Sequence, residues 1–485
     1  MTDAFGLGSL LWNIAGELRK VLDTRAVGEF TLALLVLKHA SDIAQNRVVG
    51  ATHRFVVPPS TSFDAILCDA DKPDNARRLE SALSELERAN MPLLDGLLSP
   101  LKLGSEAVRD SAGLDASLSY AIKIIAAAPP LVPLGKEQDQ AMSKALDNLS
   151  KEHFAKAHLR PGEFYTPRGI VRMMVELTAP RPGESVYDPA CGAGGMLLAA
   201  TEYVEKHSGN GKGGLRIFGQ ELGVIPARVA RMNLLLHGVD AEGIAHGDAL
   251  HNPLLQDSST LSKFDVVMGN PPFSLPDWGW DVLKGDRFGR FKYGVPPKGR
   301  GDYAFILHMI ESMRPSTGRM SVIVPHGVLF RGGSEGDIRK NLIKSNLLDA
   351  VVGLPPKLFY NTAIPTAVMF FRYGRKTDSV MFVDASRDFE VGRKLNSLRK
   401  EDAARIVKTC QERVTIAGYS RLVSHEEIAE KDFNLNIPLY VRQGESEVKA
   451  MDVTMLADRE KTLGVELAEI QREIEFRLQE IGLRR

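Results

Sequence analysis

Four consecutive residues, Asn270, Pro271, Pro272 and Phe273, end the apolar run "FDVVMGN" with an amide, a rigid backbone and an aromatic ring. Asn270 offers a side-chain carbonyl as acceptor, and the two prolines remove two backbone donors, leaving outward carbonyls without competing N–H groups. Such a corner accepts hydrogen bonds from an amino group, and Phe273 offers a face for a planar ring. An aromatic amino group is a poor nucleophile because its lone pair is delocalised into the ring. Two acceptors, the Asn270 amide oxygen and the Pro271 carbonyl, would hold both N–H bonds and aim the lone pair at an electrophile. No strong general base is required, in keeping with a motif that contains no His or Cys pairing. Alone, the tetrapeptide reads equally as a turn after a strand, since Asn-Pro is a common turn pair.

A second constellation lies upstream in "VYDPACGAGGMLLAA", where Asp188, Ala190, Cys191, Gly192, Ala193, Gly194 and Gly195 join a short strand to a helix. Glycines there permit a tight turn and let a ligand approach without interference from Cβ atoms. No Lys follows the glycines, which disfavours a phosphate cradle, and Asp188 suits a ligand with an amino-acid tail or a cationic centre. The next strand, "RIFGQEL", ends in Glu221, placed to accept both hydroxyls of a ribose over the glycine turn. The third, "GIAHGDAL", delivers Asp248 as an acceptor for an adenine amino group. In "GEFYTPRGI", Phe164 or Tyr165 supplies apolar contact, Thr166 a possible N-cap, Pro167 the first helical position and Arg168 the residue beyond it.

The elements that must position these residues form an α/β pattern. Short apolar strands alternate with helix-length amphipathic segments after residue 155, which describes a mostly parallel sheet covered on both faces. "GRMSVIVP", "LLDAVVGL" and "TAVMFFRY" complete seven strands. The last two are too close in sequence for an ordinary crossover helix, so they are expected to pair antiparallel. Residues 1–150 read as a mostly helical domain, 155–375 as the α/β domain, 376–445 as an extension and 446–485 as a long helix with one apolar seam for intramolecular or subunit docking.

Composition narrows the class. The chain has 485 residues, too many for one small core, and 61 basic residues balance 61 acidic ones. Balanced charge does not advertise a nucleic-acid partner, although a local patch or another subunit can supply phosphate contacts. The three cysteines are far apart and without CxxC spacing, so neither a disulfide framework nor a metal site is expected. The N-terminus has no basic leader, and no apolar stretch is long enough to span a membrane, so a cytoplasmic protein is expected. Between the fourth and fifth strands, Arg287, Arg290, Lys292, Lys298 and Arg300 lie amid glycines and aromatic residues, as in a mobile loop contacting phosphates or a plain surface loop.

The ordered set "GEFYTPR", "DPACGAGG", "GQEL", "GD", "NPPF", "DYAFILHMI", "GRMSVIVPHGVLFRGGSEGDIRKNLI", "LDAVVGLPPKLFYNTAIPTAVMFF" and "FNLNIPLYV" resembles the modification (M) subunits of type I restriction–modification systems. That family consists of N6-adenine DNA methyltransferases with a Rossmann-like seven-stranded sheet; the resemblance implies that methyl transfer uses S-adenosylmethionine, leaves S-adenosylhomocysteine and requires no metal. The resemblance implies that Glu163 to Arg168, Asp188, Gly192, Gly194 and Glu221 surround the cofactor, with Asp248 near its adenine. It implies that Asn270 to Phe273 receive an adenine flipped out of double-stranded DNA. It also implies a specificity (S) subunit, a second M subunit and a restriction (R) subunit as partners. Ala363 and Leu439 stand where the family usually has Gly and Arg, away from the methyl-transfer residues. Protein glutamine methyltransferases share such a corner, so a protein amide stays open as substrate, as does a non-catalytic DNA-binding subunit or pairing with a different defence module.

Overall fold

The computed structural model describes residues 7–46, 55–99, 101, 112–128, 130–131, 166–207, 214–359, 364–393 and 395–441. Glu163, Phe164, Tyr165, Ala363 and the seam of the 446–485 segment lie outside the described residues. At the N-terminal end stand helices α1 (Leu7–Leu18), α2 (Thr24–Asn46), α3 (Asn75–Ala89) and α4 (Ala112–Ala126). Helix α2 is buried on nearly every side, with Phe30, Leu34, Leu35, Val36 and Leu37 and also Glu29, Lys38 and Asp42 withdrawn from solvent, so its neighbours surround it. In α1 the buried stripe is Leu11, Ile14, Ala15 and Leu18, while Trp12 is exposed with the Arg19 guanidinium over its ring.

The remaining framework alternates α5 (Arg168–Thr178), β1 (Ser185–Asp188), α6 (Gly195–His207), β2 (Arg216–Glu221), α7 (Val224–Leu236) and β3 (Ile244–His246). A small hairpin, β4 (Gln256–Asp257) and β5 (Thr260–Leu261), precedes β6 (Val266–Gly269). Then follow α8 (Asp302–Ser312), β7 (Arg319–Pro325), α9 (Ser334–Lys344), β8 (Leu348–Gly353), β9 (Thr366–Arg372), β10 (Ser379–Asp384), α10 (Lys400–Glu412) and β11 (Ser420–Ser424). Strands β1, β6 and β8 are buried at every position, as a sheet covered on both faces requires.

The main sheet runs β11-β10-β8-β9-β7-β6-β1-β2-β3. All seven expected strands are present, and β8 and β9 pair antiparallel as expected. The expected total of seven is corrected to nine, because β10 pairs parallel with β8 and β11 pairs antiparallel with β10. The parallel pairing of Ser379–Asp384 with β8 carries the sheet into the 376–445 segment. Chain order reverses at β1, whose neighbours are β2 on one side and β6 on the other. At such a switch point, outside the carboxyl ends of the strands, open α/β sheets bind ligands. Helix α7 carries the N-terminal helices on this side: Arg228 forms a largely buried ion pair with Glu29 (2.7 Å), and Arg231 donates to the Asp95 and Leu93 carbonyls.

Candidate active site

Strand β1 ends in Asp188, which is buried, with Oδ1 accepting from the Ala190 N–H (3.0 Å). Burial pushes its carboxyl up to about 7, the Ala190 N–H opposes the shift and the Glu221 charge adds to it. One strand away, Glu221 accepts from the Gly192 N–H through Oε2 (2.9 Å) and from the Gly223 N–H through Oε1 (2.8 Å). The acid that ends β2 thus grips the glycine turn that follows β1. Gly192 and Gly194 have φ of +54° and +78°, the left-handed region that side chains disfavour. A Cβ on Gly194 would also stand 3.4 Å from the Ala230 Cβ of α7. We expect Gly194→Ala to cost about 1–2 kcal/mol of stability, read as a lower urea midpoint.

Cys191 is packing within this turn. It is buried, burial pushes its thiol well up, and Gly219 lacks the Cβ that would stand 2.9 Å from its sulfur. Ala190 and Ala193 complete the turn; the Ala193 carbonyl accepts from Asn233 Nδ2 (3.1 Å). Asp248 reaches the same edge after β3, but its Oδ1 accepts from the Leu250 and His251 N–H groups and its Oδ2 lies 2.9 Å from His251 Nδ1.

Strand β6 brings the corner against Asp188. A Cβ on Gly269 would stand 3.4 Å from Asp188 Oδ1 and 3.5 Å from Pro189, so Asn270 begins beside the acid. Asn270 Nδ2 donates to Thr166 Oγ1 (3.0 Å). With its amide nitrogen committed to Thr166, Asn270 presents Oδ1 as its acceptor. This corrects the reading of Thr166 and Pro167 as N-cap and first helical residue: Pro167 occupies the cap position, α5 begins at Arg168, and the Thr166 hydroxyl serves Asn270. Phe273 is buried and meets the Phe359 ring edge-on, with centroids 6.1 Å apart.

A network that sequence reasoning did not assign fixes the far side of the corner. Buried Asp302, the first residue of α8, accepts from the Ser274 N–H (2.8 Å) and pairs with Arg331 (2.6 Å), which in turn pairs with Glu335 (2.5 Å). Ser274 has φ of +50°, a conformation held by that bond and by Gly301 N–H donating to the Leu275 carbonyl (2.9 Å). An acid at the first position of a helix, directly after a glycine-rich loop, was the available sign. Gln220 is a second such residue: fully buried, it accepts from the Leu254 N–H and donates to the Asn252 carbonyl, tying β2 to the loop that carries Asp248.

The sequence matches the N-6 DNA Methylase family over residues 138–449. The chain belongs to the N-6 DNA methylase family. It is 37% identical over 303 residues to the type I restriction enzyme MjaVII methylase subunit of Methanocaldococcus jannaschii, covering 60% of this chain and 51% of that protein. To the HindI methylase subunit of Haemophilus influenzae it is 33% identical over 298 residues, covering 59% and 65%. The matches thus span between about half and two thirds of these relatives' length. In structure it is similar to the type I restriction–modification methyltransferase subunit of Streptococcus thermophilus, with a TM-score of 0.78, 28% identity, and coverage of 91% of this chain and all of that one.

In this chain the loop after the corner is not the free basic segment expected. Arg290 is buried, paired with Asp286 (2.6 Å) and donating to the Leu250 carbonyl (2.9 Å), so it is withdrawn as a phosphate contact. Flanking Phe288 and Phe291 draw its guanidinium inward by cation–π contact. Its Nη1 also lies 3.4 Å from His308 Nδ1, and His308 Nε2 lies 3.0 Å from the Tyr187 hydroxyl of β1. Burial and then the Arg290 charge pull His308 down to about 3, so a neutral imidazole joins the loop to the strand that carries Asp188. Lys292 pairs with Glu311 and Lys298 with Asp281, both at 2.7 Å; Arg287 leans on Phe288, and Arg300 is exposed. Among the described residues no group of three metal-ligating side chains is gathered, and no helix is long and apolar enough to cross a membrane.

Proposed function

We propose that this chain transfers a methyl group from S-adenosylmethionine to the N6 amino group of an adenine in double-stranded DNA, as the modification subunit of a type I restriction–modification complex. One observation carries the reading: the amide of Asn270 and the buried acid Asp188 end adjacent strands at the switch point of the sheet. S-adenosylmethionine supplies an electrophilic methyl group on a sulfonium centre. The donor set fits it, since Asp188 is buried where a cation would stabilise its charge, Glu221 lies beside the turn where ribose hydroxyls need an acceptor, and Gly192 and Gly194 keep the approach clear of Cβ atoms. In this reading Asp248, Ala193, Gly195 and Arg168 are assigned to the cofactor's surroundings together with Glu163, Phe164 and Tyr165, which lie outside the described residues.

Asn270 Oδ1 and the Pro271 carbonyl accept the two N–H bonds of the adenine amino group, and Phe273 with Phe359 bounds the slot for the flipped base. In this step the N–methyl bond would form as the sulfonium–methyl bond breaks, S-adenosylhomocysteine would leave, and the amino proton would pass to solvent after attack, so no side chain acts as a strong base. Neutral overall charge and family likeness support a division of labour in which an S subunit reads the sequence, a second M subunit completes the modification complex and an R subunit cleaves unmodified DNA. We expect Thr166→Val, which frees the Asn270 amide, to lower kcat roughly tenfold with little change in affinity for S-adenosylmethionine, by single-turnover kinetics and calorimetry. The overall reading is tested by incubating the chain and its co-encoded partner with methyl-labelled S-adenosylmethionine and duplex DNA. Label on adenine N6 supports it; label on protein, or no label, overturns it.

A further inference from the structure

The carboxyl ends of β8 and β10 open on the same edge as the Asn270 corner, because both strands run parallel to β6 in sense. Residues 385–393 and 395–399 follow β10 at that edge. Among them, Glu390 and Ser397 exchange both backbone hydrogen bonds (2.9 and 3.0 Å), making a short hairpin. Asn396 locks the hairpin to the loop after β8, donating from N to the Lys357 carbonyl (2.9 Å) and from Nδ2 to the Pro356 carbonyl (2.8 Å). That loop carries Phe359, the ring against Phe273. On the other side Leu398 packs so tightly on Gly169 of α5 that a Cβ there would stand 2.3 Å from the Leu398 carbonyl oxygen. The base of the segment is fixed by Asp388, which accepts from the Tyr419 hydroxyl (2.6 Å) and pairs with Arg405 (3.2 Å). The hairpin is therefore anchored from both sides next to the target corner.

Its exposed charges are mainly basic, with Glu390 the one exposed acid among the described residues of 385–400. Residues 385–400 contain five basic and two acidic residues, and one of the acids is Asp388, already engaged beneath. Arg399 is held by Asp402. Lys357, Arg387, Arg393 and Lys400 are exposed, and none of them forms an ion pair among the described residues. Lys357 has φ of +57°, a left-handed conformation uncommon for a lysine and maintained by the Asn396 bond to its carbonyl. Val391, at the turn, is 79% exposed. Across the corner the loop cations Arg290, Lys292 and Lys298 are already paired. We infer that the exposed cations Lys357, Arg387, Arg393 and Lys400, held around the Glu390–Ser397 pair, form a basic rim that grips duplex DNA phosphates flanking the target base. The inference rests on the proposed DNA substrate and commits to DNA because unpaired cations beside a base slot complement phosphate charge.

The test uses the complex of the full chain with its co-encoded partner, and a fluorescent duplex carrying the site found by methylation mapping. Wild type is compared with Lys357→Gln/Arg393→Gln/Lys400→Gln and with Lys357→Arg/Arg393→Lys/Lys400→Arg. For the glutamine variant the plot of log affinity against log salt is expected to be shallower by about two to three, with weaker binding at moderate salt, and the charge-preserving variant recovers the wild-type slope. Equal slopes for the wild type and a folded glutamine variant overturn the rim while leaving the methylation reading intact. Failure of the glutamine variant to co-purify with the partner overturns it in favour of a protein interface. A wild-type complex that methylates no DNA overturns the substrate reading itself.

Discussion

An Asn270→Ala chain should lose methyl transfer by roughly 10³-fold or more in kcat, while S-adenosylmethionine binds as before. The size follows from what the amide does: it is one of two acceptors that hold a weakly nucleophilic amino group, and removing one such preorganised partner costs about 10²–10³ on its own. Alanine also leaves the Thr166 hydroxyl without its partner and opens space beside Pro271, so the remaining carbonyl holds one N–H bond on a less constrained base. Because Glu221 and the glycine turn keep their contacts, cofactor affinity should be preserved, and the loss should fall on the chemical step. Single-turnover methylation beside calorimetric cofactor binding separates the two. Parallel loss of both would mean that Asn270 supports the fold of the edge instead.

The second large effect is on cofactor binding and belongs to Asp188. In the ligand-free protein its carboxyl titrates at about 7, chiefly because burial disfavours the charge. A cationic ligand in contact favours the ionised form, so below about pH 7 binding must expel a proton. Affinity should therefore fall about tenfold for each pH unit below 7 and level off above it. The ligand-free stability runs the other way: for this raised carboxyl, the protonated form favoured by folding stabilises at low pH, and that contribution drains away as pH climbs towards 7. Asp188→Ala should weaken binding roughly a hundred- to a thousandfold and abolish the pH dependence. Calorimetry in buffers of different ionisation enthalpy should find close to one proton released at pH 6 and none at pH 8. Proton release that persists in the alanine variant would assign the titration to another group.

Much of this was legible in the sequence, because strand ends carry their chemistry locally. Asp188, Glu221 and Asn270 each close an apolar run, and parallel strands necessarily bring those ends to one edge. The partners that are distant in sequence were not legible. Asn270 meets Thr166 from 104 positions away and Ser274 meets Asp302 across 28, contacts set by the docking of α5 and α8 onto the sheet. Arg290 misled for a related reason: a basic residue among glycines reads as exposed, and only the fold reveals Asp286 and the Leu250 carbonyl gathered around it. Strands β10 and β11 escaped notice because a pattern of seven already closes a familiar sheet, while edge pairing is a tertiary choice.

The most direct measurement is a base-resolved map of N6-methyladenine in DNA from cells carrying this chain with its co-encoded partner, set against cells carrying Asn270→Ala. The account predicts one sequence motif methylated on both strands with the wild-type chain and unmethylated with the variant. Identical maps in the two strains, or a wild-type map without any N6-methyladenine motif, would contradict it.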